Sequence, residues 1–356
     1  MSTRKRKAAY DVMRIVAILQ VLYCHTPGYH LFHNAHGAAL FGGMTCSVLC
    51  RIGVPLFAMV SGALLLGRNE SYRDLWQKRI SRMLLVVLIF EGLLYLEFHF
   101  TRGTTLSLTD FVYGMLGGTL KNFTSYWFLY AYLGFLIMLP FLRSVAQRME
   151  RADFIWLMGV HIALTTGPIL LTFACECLGV EQLKISPTMA VSLSSVMLYF
   201  YPLIGFWIDR NVDVHALRRR HWLLLVGLTV VGMLVSGLMT WHHNVVFHDR
   251  SQQFISASVY MTAITMFLAI KRLFDAEFDA VHTRLSRIFC LVGPLVFGVY
   301  LLDQGLKLLV YERFKDTLMP TLGTYGFSLF WVAVSLVVCS AITWELKQLP
   351  VFRKIL

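Results

Sequence analysis

Tyr10-Asp-Val-Met-Arg14-Ile-Val-Ala-Ile-Leu-Gln-Val-Leu-Tyr-Cys-His25 reads as a membrane-spanning helix that carries an aspartate, an arginine and a histidine. Asp11 and Arg14 are three residues apart and share a helix face. Arg14 and His25 are eleven apart, and eleven steps of about 100° return to within about 20° of that face. At a rise of 1.5 Å per residue they stand about 16 Å apart along the axis. Ionisable groups are costly in a bilayer, so they face a protein interior or a watery path and mark function. The competing reading is an arginine snorkelling to one surface and a hydrogen-bonded histidine at the other.

Working outward, the whole chain is apolar. Of its 356 residues 57% are hydrophobic and only 15% charged, a balance that excludes an ordinary soluble domain. Stretches long enough to cross a bilayer recur at 8–27, 45–67, 83–100, 125–142, 153–174, 191–208, 222–241, 254–270, 288–309 and 322–344. The expectation is an all-α polytopic integral membrane protein with about ten transmembrane helices. Residues 1–356 then form a single transmembrane domain with no soluble domain.

The net charge of +12 follows topology rather than nucleic acid. With the N-terminus inside, only Arg102, Lys121, Lys184, Arg250, Arg313 and Lys315 fall on outer segments. Arg14, Arg51 and Lys307 fall within spans, and every other lysine or arginine is inner. Such asymmetry places both termini in the cytoplasm and adds affinity for anionic lipid. The basic start resembles a signal peptide, but Arg14, His25 and the absence of an Ala-x-Ala site predict that the first helix is retained.

The cysteines at 24, 46, 50, 175, 177, 290 and 339 show no zinc spacing and read as packing residues, with a bridge from Cys46 or Cys50 to 175–177 as the minor alternative. His30, His33 and His36 form a His-x-x-His-x-x-His run without a carboxylate or cysteine to complete a metal site. They read as hydrated loop residues, as do His242, His243 and His248. The outer loop 101–124 is polar, glycine-rich and large enough to shape a cleft.

Further motifs carry chemistry. Arg51-Ile-Gly-Val-Pro55-Leu-Phe-Ala-Met-Val-Ser61-Gly62 puts a second cation near the outer end of a span, and Pro55 with Ser61-Gly62 predicts a helix break that frees backbone groups toward a cavity. Lys78, Arg79 and Arg82 cluster on the inner lip of the third span, either as a phosphate-binding set or as a plain positive-inside flank. Tyr126, Trp127 and Tyr130 open the fourth span, where aromatics are by default belt anchors. Glu91 and Glu97 lie within a span, to pair with Arg51 or His99 or to face a polar cavity.

Together these motifs resemble acyltransferase family 3, a family of membrane proteins. The carriers are Asp-x-x-Arg-x10-His in the first span, Val-Pro-Leu-Phe-x-x-x-Ser-Gly-x-Leu-Leu in the second and Lys-Arg-x-x-Arg before the third. Trp127-Phe-Leu-Tyr130, Tyr201-Pro-Leu-Ile-Gly205 and Gly298-Val-Tyr-Leu-Leu extend the likeness over essentially the whole chain, in order. It is nearest the sub-group that O-acetylates cell-envelope polysaccharides or their lipid-linked precursors. One position departs: where the family often has a histidine, this chain has Asp303, with Lys307 four residues on, which leaves the role of that span open.

The resemblance implies a multi-pass protein of the bacterial inner (plasma) membrane. It implies an acyl-CoA co-substrate from the cytoplasm, acetyl-CoA first, an acceptor hydroxyl on an outer envelope glycan or lipid-linked saccharide, and His25 as the essential catalytic group. No permanently bound cofactor or metal is implied. Asp11, Arg14, Arg51, Ser61, Lys78, Arg79, Arg82, Trp127 and Tyr130 are then the acyl-CoA-binding or supporting residues. The spacing from Arg14 to His25 is comparable to an extended pantetheine arm. His25 serves either as general base or as a transient acyl carrier. A transporter or flippase for a lipid-linked or anionic substrate explains the intramembrane charges equally well, though no internal repeat is visible. A catalytically silent sensory module is the third reading. Nothing in Gly42-Gly43 or Gly117-Gly118 settles an oligomeric state.

Overall fold

The structure, a computed structural model, describes residues 7–29, 38–103, 105, 107–117, 126–181, 193–247, 253–274 and 284–356. Among these the chain is helical throughout, with no strand. The helices are α1 (Ala8–Cys24), α2 (Ala38–Arg51), α3 (Gly53–Leu65), α4 (Tyr72–Leu75), α5 (Ser81–Arg102), α6 (Leu108–Gly117), α7 (Trp127–Arg148) and α8 (Arg151–His161). Then follow α9 (Gly167–Leu178), α10 (Leu193–Asn211), α11 (Arg219–Phe247), α12 (Val259–Phe274), α13 (Arg284–Val292), α14 (Val296–Leu306), α15 (Glu312–Leu346) and α16 (Pro350–Ile355). Wider π turns at Trp76–Ile80 and Lys307–Tyr311 join α4 to α5 and α14 to α15.

Among the described residues, seven helical stretches are long and apolar enough to cross a bilayer. They hold eight of the ten expected spans, because Arg287–Leu346 contains the last two. The other two expected spans are α1, of 17 residues, and α10, of 19. The outward faces are hydrocarbon: α5 exposes Leu84, Leu85 and Leu88, and α11 exposes Leu223, Leu224 and Val231. A contiguous apolar exterior of this kind suits lipid, not water. The protein is an all-α, polytopic membrane protein.

Arg287–Leu346 folds as a hairpin. Gly323 sits at φ 68°, ψ 171°, a backbone conformation that L side chains rarely adopt, and there the chain reverses. The two arms then pair from the turn downward, through the Tyr311 and Trp331 rings, then Asp303 with Ser335, then Lys347 with the Pro294 carbonyl.

α1 is the central helix, packed against α2, α3 and α12 on one side and α13, α14 and α15 on the other. Asp11, Met13, Ala17 and Ile18 are at most 1% exposed. One end is pinned by a buried charge pair in which Lys271 Nζ lies 3.1 Å from Asp209 Oδ1, and Tyr10 donates to the same oxygen at 2.6 Å. Buried ions need such partners, and these three residues tie α1, α10 and α12 together.

The helix break lies elsewhere than expected. α3 runs unbroken through Ser61 and Gly62, with Pro55 in its first turn where its missing N–H costs nothing, and the interruption falls at Ile52 between α2 and α3. Gly62 is there for close packing: a Cβ on it would strike the backbone of Pro202 on α10, and one on Gly205 would strike Met59. All seven cysteines are free, so no bridge joins Cys46 or Cys50 to 175–177.

Candidate active site

One stripe of α1 organises the site. Arg14 and Val21, two turns apart, line a cavity of about 340 Å³, and His25 stands one further turn along the same stripe. Other helices contribute stripes of their own. α3 gives Val54, Phe57 and Ser61; α7 gives Phe128, Tyr132 and Leu136; the turn between α13 and α14 and the start of α14 give Gly293, Pro294, Phe297 and Tyr300. The mouth is basic, with Lys78, Arg79 and Arg82 beside Arg14. The inner walls are aromatic and aliphatic. A cavity of this polarity matches a ligand with an anionic end and an apolar stem.

The cations at the mouth are held in place. Arg14 Nη1 lies 3.3 Å from Asp11 Oδ1, and Asp11 is 1% exposed. Asp11 in turn abuts Gly293, whose missing side chain is required: a Cβ there would come within 2.6 Å of the Asp11 Cβ. Lys78 pairs with Asp74 at 2.6 Å. Arg79 grips Glu70 with two hydrogen bonds, of 2.8 and 2.5 Å, and Arg143 reaches the same carboxylate at 2.9 Å. The Arg79 guanidinium, with Arg143 behind it, holds the Glu70 carboxyl well below the usual carboxylate range, at about 2, against some opposition from burial. Arg82 Nε donates to the Ile355 carbonyl at 3.2 Å.

Beyond the cavity lies the feature that sequence left open. Asp303 stands three residues outward of Tyr300, as His25 stands four outward of Val21, and the two meet: His25 Nδ1 is 3.3 Å from Asp303 Oδ2. Asp303 is 1% exposed, and its other oxygen accepts from Ser335 Oγ at 2.5 Å. Gln304 Nε2 approaches His25 Nδ1 at 3.5 Å, and Lys307 Nζ donates to the His25 backbone carbonyl. With Nδ1–H given to the carboxylate, the imidazole keeps its lone pair on Nε2, the tautomer a general base or nucleophile needs. Tyr126, 1% exposed, donates to the Leu301 carbonyl and packs against Tyr300, filling the space beside the pair.

The structure brings Arg14, Ser61, Lys78, Arg79 and Arg82 to one cavity, with Asp11 behind Arg14, and sets His25 and Asp303 a turn beyond it. It does not bring the others. Arg51 is turned away, its Nε donating to Tyr29 Oη at 2.7 Å and its Nη1 to Ser256 Oγ at 2.8 Å. Trp127 is 41% exposed on the outer surface of α7, as a belt anchor would be. Tyr130 instead meets Glu91 Oε2 and the Met115 carbonyl, each at 2.7 Å, so the partner of Glu91 is a tyrosine and not Arg51. His243 Nδ1 pairs with Glu176 at 3.0 Å; His30, His33, His36 and His248 lie outside the described residues.

Sequence reasoning missed Ser335, Gln304, Glu70 and the aromatic walls. The polar run Asp303, Gln304, Lys307 within an apolar span was a readable signal; Ser335, one of several hydroxyls along a long hydrophobic helix, had none.

A polytopic helical membrane protein with a buried aspartate paired to a part-exposed histidine beside a basic-mouthed cavity has the parts of a membrane acyltransferase. The profile of the acyltransferase domain family matches residues 7–344, and the chain belongs to that family, acyltransferase family 3. No curated protein and no solved structure matches the chain.

Proposed function

We propose that this acyltransferase takes its acyl group, acetyl first among them, from acyl-CoA on the cytoplasmic side. It passes that group to a hydroxyl of an envelope glycan or its lipid-linked precursor on the outer side of a bacterial inner membrane. The observation that carries this reading is the line from Arg14 through Val21 to His25, a basic mouth and an apolar channel that stop one turn short of the Asp303–His25 pair. Phosphates suit the Arg14, Lys78, Arg79 and Arg82 cluster, since guanidinium groups match their geometry. The pantetheine stem suits the aromatic walls, and the thioester then arrives at the histidine.

His25 Nε2 removes the acceptor hydroxyl proton while the oxygen attacks the thioester carbonyl. The C–O bond forms, the C–S bond breaks, and the imidazolium returns the proton to the departing thiolate. Asp303 holds the ring and stabilises its cationic form between these events. In the two-step variant Nε2 itself takes the acyl group as the thiolate leaves; the acceptor oxygen then forms its C–O bond as the C–N bond breaks, and its proton passes through the freed Nε2 to the thiolate. Trapping an acylated protein from acyl-CoA without acceptor separates the two.

The test is thiol release from acetyl-CoA by protein in liposomes, with envelope-glycan extract on the outer face. Glycan-dependent release that vanishes in His25→Ala is expected. A folded wild type that releases no thiol with several acyl-CoAs and extracts would overturn the reading in favour of a transporter or a silent module.

A further inference from the structure

The segment after the family match takes part in the donor cavity. α16 (Pro350–Ile355) lies beyond residue 344, where the acyltransferase profile ends. It nevertheless returns to the mouth. Ile355 is 3% and Leu356 8% exposed, Leu356 is a wall of the cavity, and Arg82 donates to the Ile355 carbonyl at 3.2 Å. The same Arg82 is one of the mouth cations, so α16 holds a donor that a phosphate would claim. Upstream, Lys347 Nζ fastens the end of α15 to the Pro294 carbonyl on the cavity rim at 2.8 Å, and Leu349 then runs extended (φ −81°, ψ 131°) into α16.

We propose that α16 is a latch over the donor cavity, closed by Arg82 and Ile355 and released when acyl-CoA phosphates take Arg82 from it. The inference rests on the acyl-CoA reading above. A guanidinium bond to phosphate is charge-assisted on both sides and roughly twice as strong as one to a neutral carbonyl, so the exchange favours the ligand. A six-residue helix has little stability of its own and is held by Ile355, by Leu356 just after it and by the half-buried Phe352. Arg353 and Lys354 are already exposed in the closed position, so opening moves no charge out of the protein interior. A closed latch also lowers apparent donor affinity by the fraction of molecules that are open.

Leu356→Cys in the otherwise unaltered chain, labelled by a membrane-impermeant maleimide with and without acetyl-CoA, reads the latch. Acetyl-CoA itself has no free thiol, maleimide in large excess absorbs any thiol that turnover releases, and the wild-type chain gives the background of the seven native cysteines. Binding is followed in parallel as a rise in melting temperature. The expected result is labelling at least about fivefold faster with acetyl-CoA, and fast without it when Ile355→Ala is added. Leu349→Cys, at an exposed position, labels equally in both conditions. If acetyl-CoA raises the melting temperature and Cys labelling at 356 is unchanged or slower, α16 is a fixed wall and the latch is wrong. If acetyl-CoA does not bind at all, the donor reading fails and the latch falls with it.

Discussion

Replacing Asp303 by asparagine tests whether the buried carboxylate sets the histidine for chemistry. In the wild type its two oxygens accept from Ser335 Oγ at 2.5 Å and from His25 Nδ1 at 3.3 Å. An amide has only one acceptor oxygen for these two donors. If that oxygen keeps Ser335, the NH2 group faces His25 and drives its proton to Nε2, abolishing the base. If it keeps His25, the tautomer survives, but the imidazolium formed in the reaction loses its counter-charge. In hydrolases built on an Asp–His pair this exchange costs up to about 10⁴ in kcat. The 3.3 Å contact here is long for a charge-assisted bond, so we expect about 10²–10³, or about 3–4 kcal/mol. Asp303 is not a wall of the donor cavity, so KM for acyl-CoA should stay within about twofold, a split that marks an interaction made at the chemical step. Steady-state thiol release at varied acetyl-CoA, with melting temperature as a check on folding, measures both. A kcat within about threefold of wild type, or a loss carried by KM, would refute the role given to the pair.

Arg14→Ala should raise KM for acyl-CoA by about tenfold or more, the loss of one charge-assisted phosphate contact, while His25→Ala leaves acetyl-CoA binding nearly intact. Equal loss of binding in the two variants, by calorimetry or thermal shift, contradicts that division of labour. Gly293→Val should act like a weaker Arg14 variant, because the new side chain displaces Asp11 and with it Arg14; an unchanged KM would show that Asp11 does not position the arginine. Glu70→Gln should lower the melting temperature at pH 7. The depressed carboxyl contributes stability above its ordinary pKa of about 4.5 and loses it as pH falls toward about 2, so the gap between wild type and variant should close over that window. The full span corresponds to about 3 kcal/mol before solvent screening reduces it. A gap undiminished at pH 2 would assign the loss to packing.

The motif residues that carried the reading were those whose chemistry violates their surroundings. Asp11, Arg14 and His25 are costly in a span wherever they are placed, and the 3.6-residue period alone put Arg14 and His25 on one stripe. The spans themselves were equally legible, since each needs only its own run of apolar residues; their ends and the reversal at Gly323 depended on local backbone geometry. The basic lip was visible, but the cavity that gathers Lys78, Arg79 and Arg82 around Arg14 was not.

Other assignments depended on distant partners. Ser61-Gly62 looked like a helix break because glycine weakens helices; the approach of Pro202 shows it to be a packing surface. Arg51 is as unusual in a span as Arg14, yet Tyr29 and Ser256 occupy it away from the cavity. Asp303 was only an irregularity in its motif until α14 brought it to His25 across 278 residues of chain. What the sequence by itself determined was the all-helical membrane class, the family likeness and the stripe on α1, because composition, motif spacing and helical period are local properties of the chain. What only the tertiary structure decided was which charges meet: the Asp303–His25 pair, the Glu70 clamp and the return of α16 to Arg82. Those depend on packing between helices far apart in sequence, and no periodicity encodes it.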